Sequence, residues 1–69
     1  PEDATAYYNS ASAYALQGQV EEACTWLRKA IKMGEKYRQM ARTDADFDPI
    51  REAPCLRALL AKGEEAAAT

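Results

Sequence analysis

The strongest helical pattern of the chain is found in VEEACTWLRKAIKMG, residues 20–34. Its apolar side chains recur at intervals of three and four residues, and they are Val20, Ala23, Cys24, Leu27, Ala30 and Ile31. This spacing places them on one face of an α-helix. Glutamates in the first turn and basic residues near the end suit the helix dipole, and Gly34 closes the helix. The segment therefore predicts an amphipathic α-helix that buries one face.

The residues before this segment predict a second helix. One face of it carries Tyr7, Ala11, Tyr14 and Ala15. Asp3 or Thr5 can cap its start, and Gly18 can supply the left-handed residue that ends it. A turn of only about two or three residues at Gly18 forces the helices antiparallel, so residues 1–34 are expected to form an αα-hairpin.

Residues 35–62 predict a helical C-terminal cap. A third helix of about two turns is indicated by Tyr37, Met40 and Ala41. Residues 43–49 are turn-rich, and Asp48 is expected to cap a short helical turn that begins at Pro49. Pro54 suits the first position of a last helix, whose inner side carries Leu56, Leu59 and Leu60. Residues 63–69 are expected to extend that helix or to fray. No strand signal occurs, so the predicted fold class is all-α.

Length and charge exclude several classes of protein. The chain has 69 residues, enough for one domain with a thin core. Its net charge of −2 gives no general attraction to nucleic acid or anionic lipid. No apolar run approaches the ~20 residues needed to cross a bilayer. We therefore expect no nucleic-acid partner and no membrane partner in this segment. A basic band is interpreted as a solvated helix end, with a surface for an acidic partner as the alternative, and it consists of Arg28, Lys29, Lys32, Lys36, Arg38 and Arg42.

No set of side chains suited to catalysis or metal binding is evident. The chain has no histidine, which excludes Ser-His-Asp and Cys-His arrangements and histidine metal ligands. Asp44, Asp46 and Asp48 have the spacing that begins a calcium loop. Pro49 and Cys55 stand where that loop needs glycine and glutamate. We expect no enzymatic activity, no metal and no cofactor, and we assign the aspartates to helix ends.

The two cysteines, Cys24 and Cys55, could form one disulfide but no disulfide framework. They lie far from any C-x-x-C spacing. A lone buried thiol behaves as a small apolar residue, and we interpret each cysteine in this way. Together with the lack of a signal-peptide pattern, this interpretation predicts a cytoplasmic chain.

Small and large residues at fixed positions give residues 4–34 a family resemblance. The positions that carry it are Tyr7, Ala11, Tyr14, Gly18, Ala23, Leu27 and Ala30. With this spacing the segment resembles one tetratricopeptide repeat, a helix–turn–helix unit with a period of about 34 residues. Ser10 and Glu35 depart from the leucine and proline common in the family. The segment from Tyr37 to Leu60 looks like the ending that closes the stack in some bacterial tetratricopeptide proteins.

The resemblance implies a protein–protein interaction scaffold that binds a protein or peptide through the concave face of its first helix. By the family's register, that face consists of Thr5, Tyr8, Asn9, Ser12, Ala15 and Leu16. Tyr8 and Asn9 are the expected main contacts, because a tyrosine offers a rigid anchor and an amide can bind an extended backbone. The alternative is a structural capping or self-association unit of a longer stack, with no ligand of its own.

The same register has consequences for assembly. It places Pro1 at the closing proline of a preceding repeat, so we expect further repeats upstream. A single repeat leaves an apolar flank uncovered, which here would include Tyr7 and Tyr8. We therefore expect a weak homodimer, or a domain exchange, at high concentration.

Overall fold

Five helices follow one another in the computed structural model, which describes the backbone of residues 3–68 and the side chains of residues 3–61. They are α1 (Ala4–Leu16), α2 (Val20–Met33), α3 (Lys36–Thr43), the 3₁₀ helix η1 (Ala45–Ile50) and α4 (Pro54–Ala68). No β-strand occurs within the described range, so the all-α prediction is confirmed. α1 packs on α2, η1 lies against α1, and α3 and α4 pack on α2 and on each other.

The turn between α1 and α2 has the geometry that Gly18 predicts. Gly18 has a φ of 77°, a conformation that costs a residue with a β-carbon about 1–2 kcal/mol. Its N–H donates to the carbonyl of Ala15 at 3.0 Å, and the Gln19 N–H donates to the carbonyl of Tyr14 at 3.0 Å. These two bonds are those of a Schellman motif. At the other end of α1, the Asp3 side chain accepts a hydrogen bond from the Thr5 N–H.

Alanines allow the two helices of the hairpin to approach closely. Ala11 and Ala15 on α1 and Ala23 and Ala30 on α2 are all fully buried. Leu27 fills the space beside them and is also fully buried. Interiors of this kind are close-packed, so a larger side chain at an alanine position has nowhere to go without moving a helix.

Enlarging Ala23 should therefore destabilise the fold. We expect Ala23→Leu to lower the free energy of unfolding by roughly 1–3 kcal/mol, measured by urea denaturation followed by circular dichroism. The matched control is Ala13→Leu, the same substitution at an exposed position of α1, which should change stability by less than about 0.5 kcal/mol. Equal stability of the two variants would show that Ala23 does not lie at a tight helix crossing.

The stretch between α3 and α4 differs from the prediction in its capping. Asp44, rather than Asp48, caps η1: its Oδ1 accepts a hydrogen bond from the Asp46 N–H at 3.0 Å. η1 therefore begins at residue 45, and Pro49 lies inside it. Asp48 instead accepts a hydrogen bond from Arg51. Either aspartate is an acceptable cap by residue type, and the choice depends on the burial of Phe47 in the core between them.

Three arginines hold the C-terminal segment together. Arg51 donates to the carbonyls of Ala41 and Asp44 at 2.8 and 2.7 Å, which satisfies acceptors at the end of α3. Arg38 and Arg42 of α3 donate from Nε to the carbonyls of residues 59 and 60 of α4 at 2.8 and 3.0 Å. Arg38, which also pairs with Glu35, is buried, so its interpretation as part of a solvated helix end is wrong.

The two cysteines are bonded to each other. Cys24 of α2 and Cys55 of α4 form a disulfide between residues whose Cα atoms lie 6.4 Å apart. The interpretation of each cysteine as a lone buried thiol is therefore wrong. The reason is that 31 positions separate them in sequence, and only the folding-back of α3 and η1 brings the first turn of α4 onto α2.

The C-terminal end of the described chain is helical. α4 continues through Gly63 as far as Ala68. Thr69, like the first two residues, lies outside the described part of the structure. None of the helices in the described range combines the length and the apolar character that a bilayer-crossing segment requires.

Candidate protein-interaction surface

The predicted groove face of α1 is divided in the structure between covered and exposed residues. Tyr8 and Ser12 are only 5% and 8% exposed, and Ala15 is fully buried. Thr5, Asn9 and Leu16 remain exposed, Leu16 at 58%. The prediction of an open groove at Tyr8 and Ser12 is therefore wrong for this structure, because η1 of the same chain lies against α1.

Tyr8 is the centre of the contact between α1 and the C-terminal segment. Its hydroxyl donates a hydrogen bond to Asp44 Oδ2 at 2.6 Å. Its ring centroid lies 5.4 Å from that of Tyr37 and 5.7 Å from that of Phe47, in tilted arrangements favourable for aromatic pairs. Beside it, Thr5 Oγ1 and the Tyr37 hydroxyl share a hydrogen bond of 2.9 Å. The chain thus places its own aromatic and acidic side chains where the sequence predicted a foreign peptide.

This environment also affects the ionisation of Tyr8. Burial raises the pKa of its phenol well above the ordinary value, and the hydrogen bond to Asp44 and the charges of Asp44 and Asp46 raise it further, against an opposing effect of Arg51. Because the folded pKa lies above the unfolded one, the folded protein keeps this proton after the unfolded chain has lost it. Tyr8 therefore contributes stability that is complete below about pH 10 and is lost as the pH rises further.

Replacing Tyr8 with phenylalanine tests this assignment. At neutral pH, Tyr8→Phe should cost roughly 1.5–3 kcal/mol, because a hydrogen bond to a charged group is lost inside the protein. Above about pH 10, the stability of the variant should fall less steeply with pH than that of the wild type. Urea denaturation across the alkaline range measures both effects. Identical slopes for the two proteins would mean that the Tyr8 proton is not linked to folding.

A second surface lies on the hairpin itself, and we call it the aromatic flank. It consists of Tyr7, Trp26, Lys29, Lys32 and Met33. The rings of Tyr7 and Trp26 are tilted with centroids 5.5 Å apart, and Lys29 Nζ lies 4.6 Å from the Trp26 centroid and 5.9 Å from that of Tyr7. Cation–π contacts of this kind contribute about 0.5–1 kcal/mol at exposed sites.

The aromatic flank is concave and mixed in polarity. A groove of about 290 Å³ runs over it, lined by Tyr7, Lys29, Lys32 and Met33. Met33 is 45% exposed, and both lysines are exposed. Sequence analysis singled out Tyr7 but missed Trp26. The sequence does contain a signal for Trp26. Trp26 is adjacent to Leu27, which lies on the buried face of α2, so the Trp26 ring is expected at the border of that face.

A second groove, of about 430 Å³, is basic: Arg42, Arg51 and Arg57 line it beside Glu52. The Arg51 guanidinium is already engaged by backbone carbonyls and by Asp48. Arg42 likewise donates to α4. Arg42 and Arg51 thus hold the cap, and their part of the groove is a consequence of the fold's own bonding.

The aspartate cluster has structural partners too. Asp44 binds Tyr8 and caps η1, and Asp48 pairs with Arg51. Among the residues that the structure describes, no group of three or more histidine, cysteine or acidic side chains is arranged to hold a metal ion.

Comparisons with protein-family models, with curated proteins and with solved structures found no match to this chain.

Proposed function

We propose that this chain is a non-catalytic protein-interaction module, a capped helical hairpin of the tetratricopeptide type that binds a helical partner protein through its aromatic flank. One observation carries the proposal: Tyr7, Lys29, Lys32 and the exposed Met33 line a groove on the hairpin, and the Tyr7 and Lys29 side chains at its edge pack on Trp26. Tryptophan, tyrosine and methionine are enriched in the cores of protein interfaces.

The occlusion of Tyr8 supports this choice of surface. The family resemblance places the partner on the α1 face that includes Tyr8 and Ser12, but both side chains are buried and η1 packs against α1. Tyr7, the neighbour of Tyr8 in sequence, instead contacts Trp26 and Lys29 of α2. The chain thus covers one face with its own C-terminal cap and leaves an aromatic groove on another. These are the properties of a unit that ends a stack of helical hairpins.

The chemistry of the flank favours an acidic amphipathic helix as the partner. The apolar lining of the groove at Tyr7 and Met33 suits the i, i+3 and i+4 apolar residues of a helix laid in a groove. The ammonium groups of Lys29 and Lys32 suit acidic residues beside that apolar stripe, since complementary charge sets orientation and association rate. We therefore assign the flank to a helix with leucine-type anchors and a glutamate-rich border.

The test uses the single tryptophan of the chain as a reporter. A synthetic amphipathic helix with a leucine stripe and glutamate borders should change Trp26 fluorescence on titration, and NMR shift changes should concentrate at Tyr7, Trp26 and Met33. The double variant Lys29→Glu, Lys32→Glu should bind that peptide roughly tenfold more weakly and prefer a peptide with lysine borders. The control Lys36→Glu, on α3, should bind as the wild type does.

Two outcomes would contradict the proposal. Shift changes confined to Thr5, Asn9 and Leu16 would favour the concave-face hypothesis instead. Absence of binding by either peptide, together with a concentration-dependent mass in sedimentation, would favour the self-association alternative.

A further inference from the structure

A covering segment closes the predicted groove face of α1, and we define it as residues 44–56. Three of its side chains anchor it in the core: Phe47 and Leu56 are fully buried, and Ile50 is nearly so. Its Asp44 accepts the Tyr8 hydrogen bond. The covering segment is thus an intramolecular occupant of the surface that the sequence assigned to a foreign chain.

The disulfide lies at the downstream end of this segment. Cys55 is the second residue of α4 and directly precedes the Leu56 anchor, whereas Cys24 belongs to α2 of the hairpin. The upstream end follows α3, which packs on the same helix α2. While the bond is intact, both ends of the covering segment are therefore fixed to the hairpin and it cannot swing away from α1. Once the bond is broken, only non-covalent contacts hold the downstream end.

The two cysteines of the bond differ in solvent exposure. Cys24 is 2% exposed, while Cys55 is only partly buried. A thiolate of a dithiol reductant can attack the Cys55 sulfur, and the Cys24 sulfur leaves as a thiolate that takes up a proton. The second thiolate of the reductant then attacks its own sulfur in the mixed disulfide, and Cys55 leaves and takes up a proton. The protein gains two thiols and the reductant becomes a cyclic disulfide.

We infer that the Cys24–Cys55 bond is a thiol-sensitive latch on the α1 face. With the bond intact, the covering segment contacts Tyr8 through Asp44 and Phe47, and the face is closed. After reduction by a dithiol, the segment opens and adds Tyr8 to the exposed residues Thr5, Asn9 and Leu16. The inference concerns a different surface from the aromatic flank, so it stands or falls independently of the proposed function.

Hydrogen exchange of the folded protein tests the latch. Backbone amides that report on the covering segment are those of Phe47 and Ala53, bonded to the carbonyls of residues 44 and 50. Reduction by a dithiol should raise the exchange rates of these two amides at least about tenfold more than those of the α2 amides between Ala23 and Ile31, because opening of the segment is no longer restrained by the bond. The α2 amides should rise only by the factor that the loss of overall stability sets, since core amides exchange through global unfolding. Trypsin should also cleave after Arg51 faster in the reduced protein than in the oxidised one.

A variant separates the latch from other effects of the reductant. Cys55→Ser should show the fast exchange of the covering segment without any dithiol, and adding dithiol should leave it unchanged. Unchanged exchange of Phe47 and Ala53 on reduction of the wild type would overturn the inference. An equal rise in α2 and in the covering segment would also overturn it, since the bond would then stabilise the whole fold without controlling one face.

Discussion

Replacing Phe47 with alanine is expected to lower the free energy of unfolding by about 3–5 kcal/mol. The Phe47 ring is one of the largest fully buried side chains of the structure, and it packs on Tyr8 across the contact between η1 and α1. Its removal leaves a cavity between η1 and α1. Because η1 is a short helix, it cannot move into that cavity without losing its cap at Asp44. A domain of this length is stabilised by only roughly 3–10 kcal/mol, so the loss is a large fraction of the total free energy of unfolding.

Urea denaturation followed by circular dichroism measures this loss. The control is Met40→Ala, which shortens a large apolar side chain that is exposed on α3 and should change stability by about 0.5 kcal/mol or less. A loss below about 1 kcal/mol at Phe47, similar to that of the control, would mean that η1 does not contribute to the core.

Reduction of the disulfide is the second large expected effect. The bond joins residues 31 positions apart, and constraining a loop of that length restricts the unfolded chain by about 3–4 kcal/mol. The reduced protein should therefore unfold at a clearly lower urea concentration than the oxidised one. This measurement concerns the stability of the whole molecule, whereas the exchange experiment compares its parts.

The matched control removes both sulfurs. The double variant Cys24→Ala, Cys55→Ala should have the same urea midpoint with and without dithiol, and that midpoint should lie near the one of the reduced wild type. Coinciding midpoints for oxidised and reduced wild type would mean that native contacts already restrict the loop, so that the bond adds no stability.

The hairpin could be predicted from the sequence because its signals are local. The buried residues of α2 repeat with the helical period, and both the start of α2 at Val20 and its end at Met33 follow from that period. Gly18 provides the one conformation that ends α1 and reverses the chain. Ala23 and Ala30 lie on the buried face where the pattern places them. Such features depend on residues only a few positions apart.

The cap and the candidate surface depended on contacts between distant residues. Tyr8 has the residue type and position of a surface contact, and its burial follows only from Phe47 and Asp44, which lie almost forty positions further on. The same is true of the bond between Cys24 and Cys55. The family resemblance covers residues 4–34 and implied an open groove, but nothing within those residues indicates what the rest of the chain lays against it.

The hydrogen bonds of Arg51 have a consequence for the order in which parts of this chain fold during synthesis. The last carbonyls of α3 receive their protein donors from a side chain that follows Ala41 by ten positions. In synthesis from the N-terminus, α3 emerges from the ribosome before Arg51 emerges, and water must satisfy those carbonyls until then. The end of α3 and the turn of η1 are thus completed together and late, when Arg51 forms its hydrogen bonds. Termination of translation just short of Arg51 would yield a nascent hairpin with an unfinished and exposed third helix.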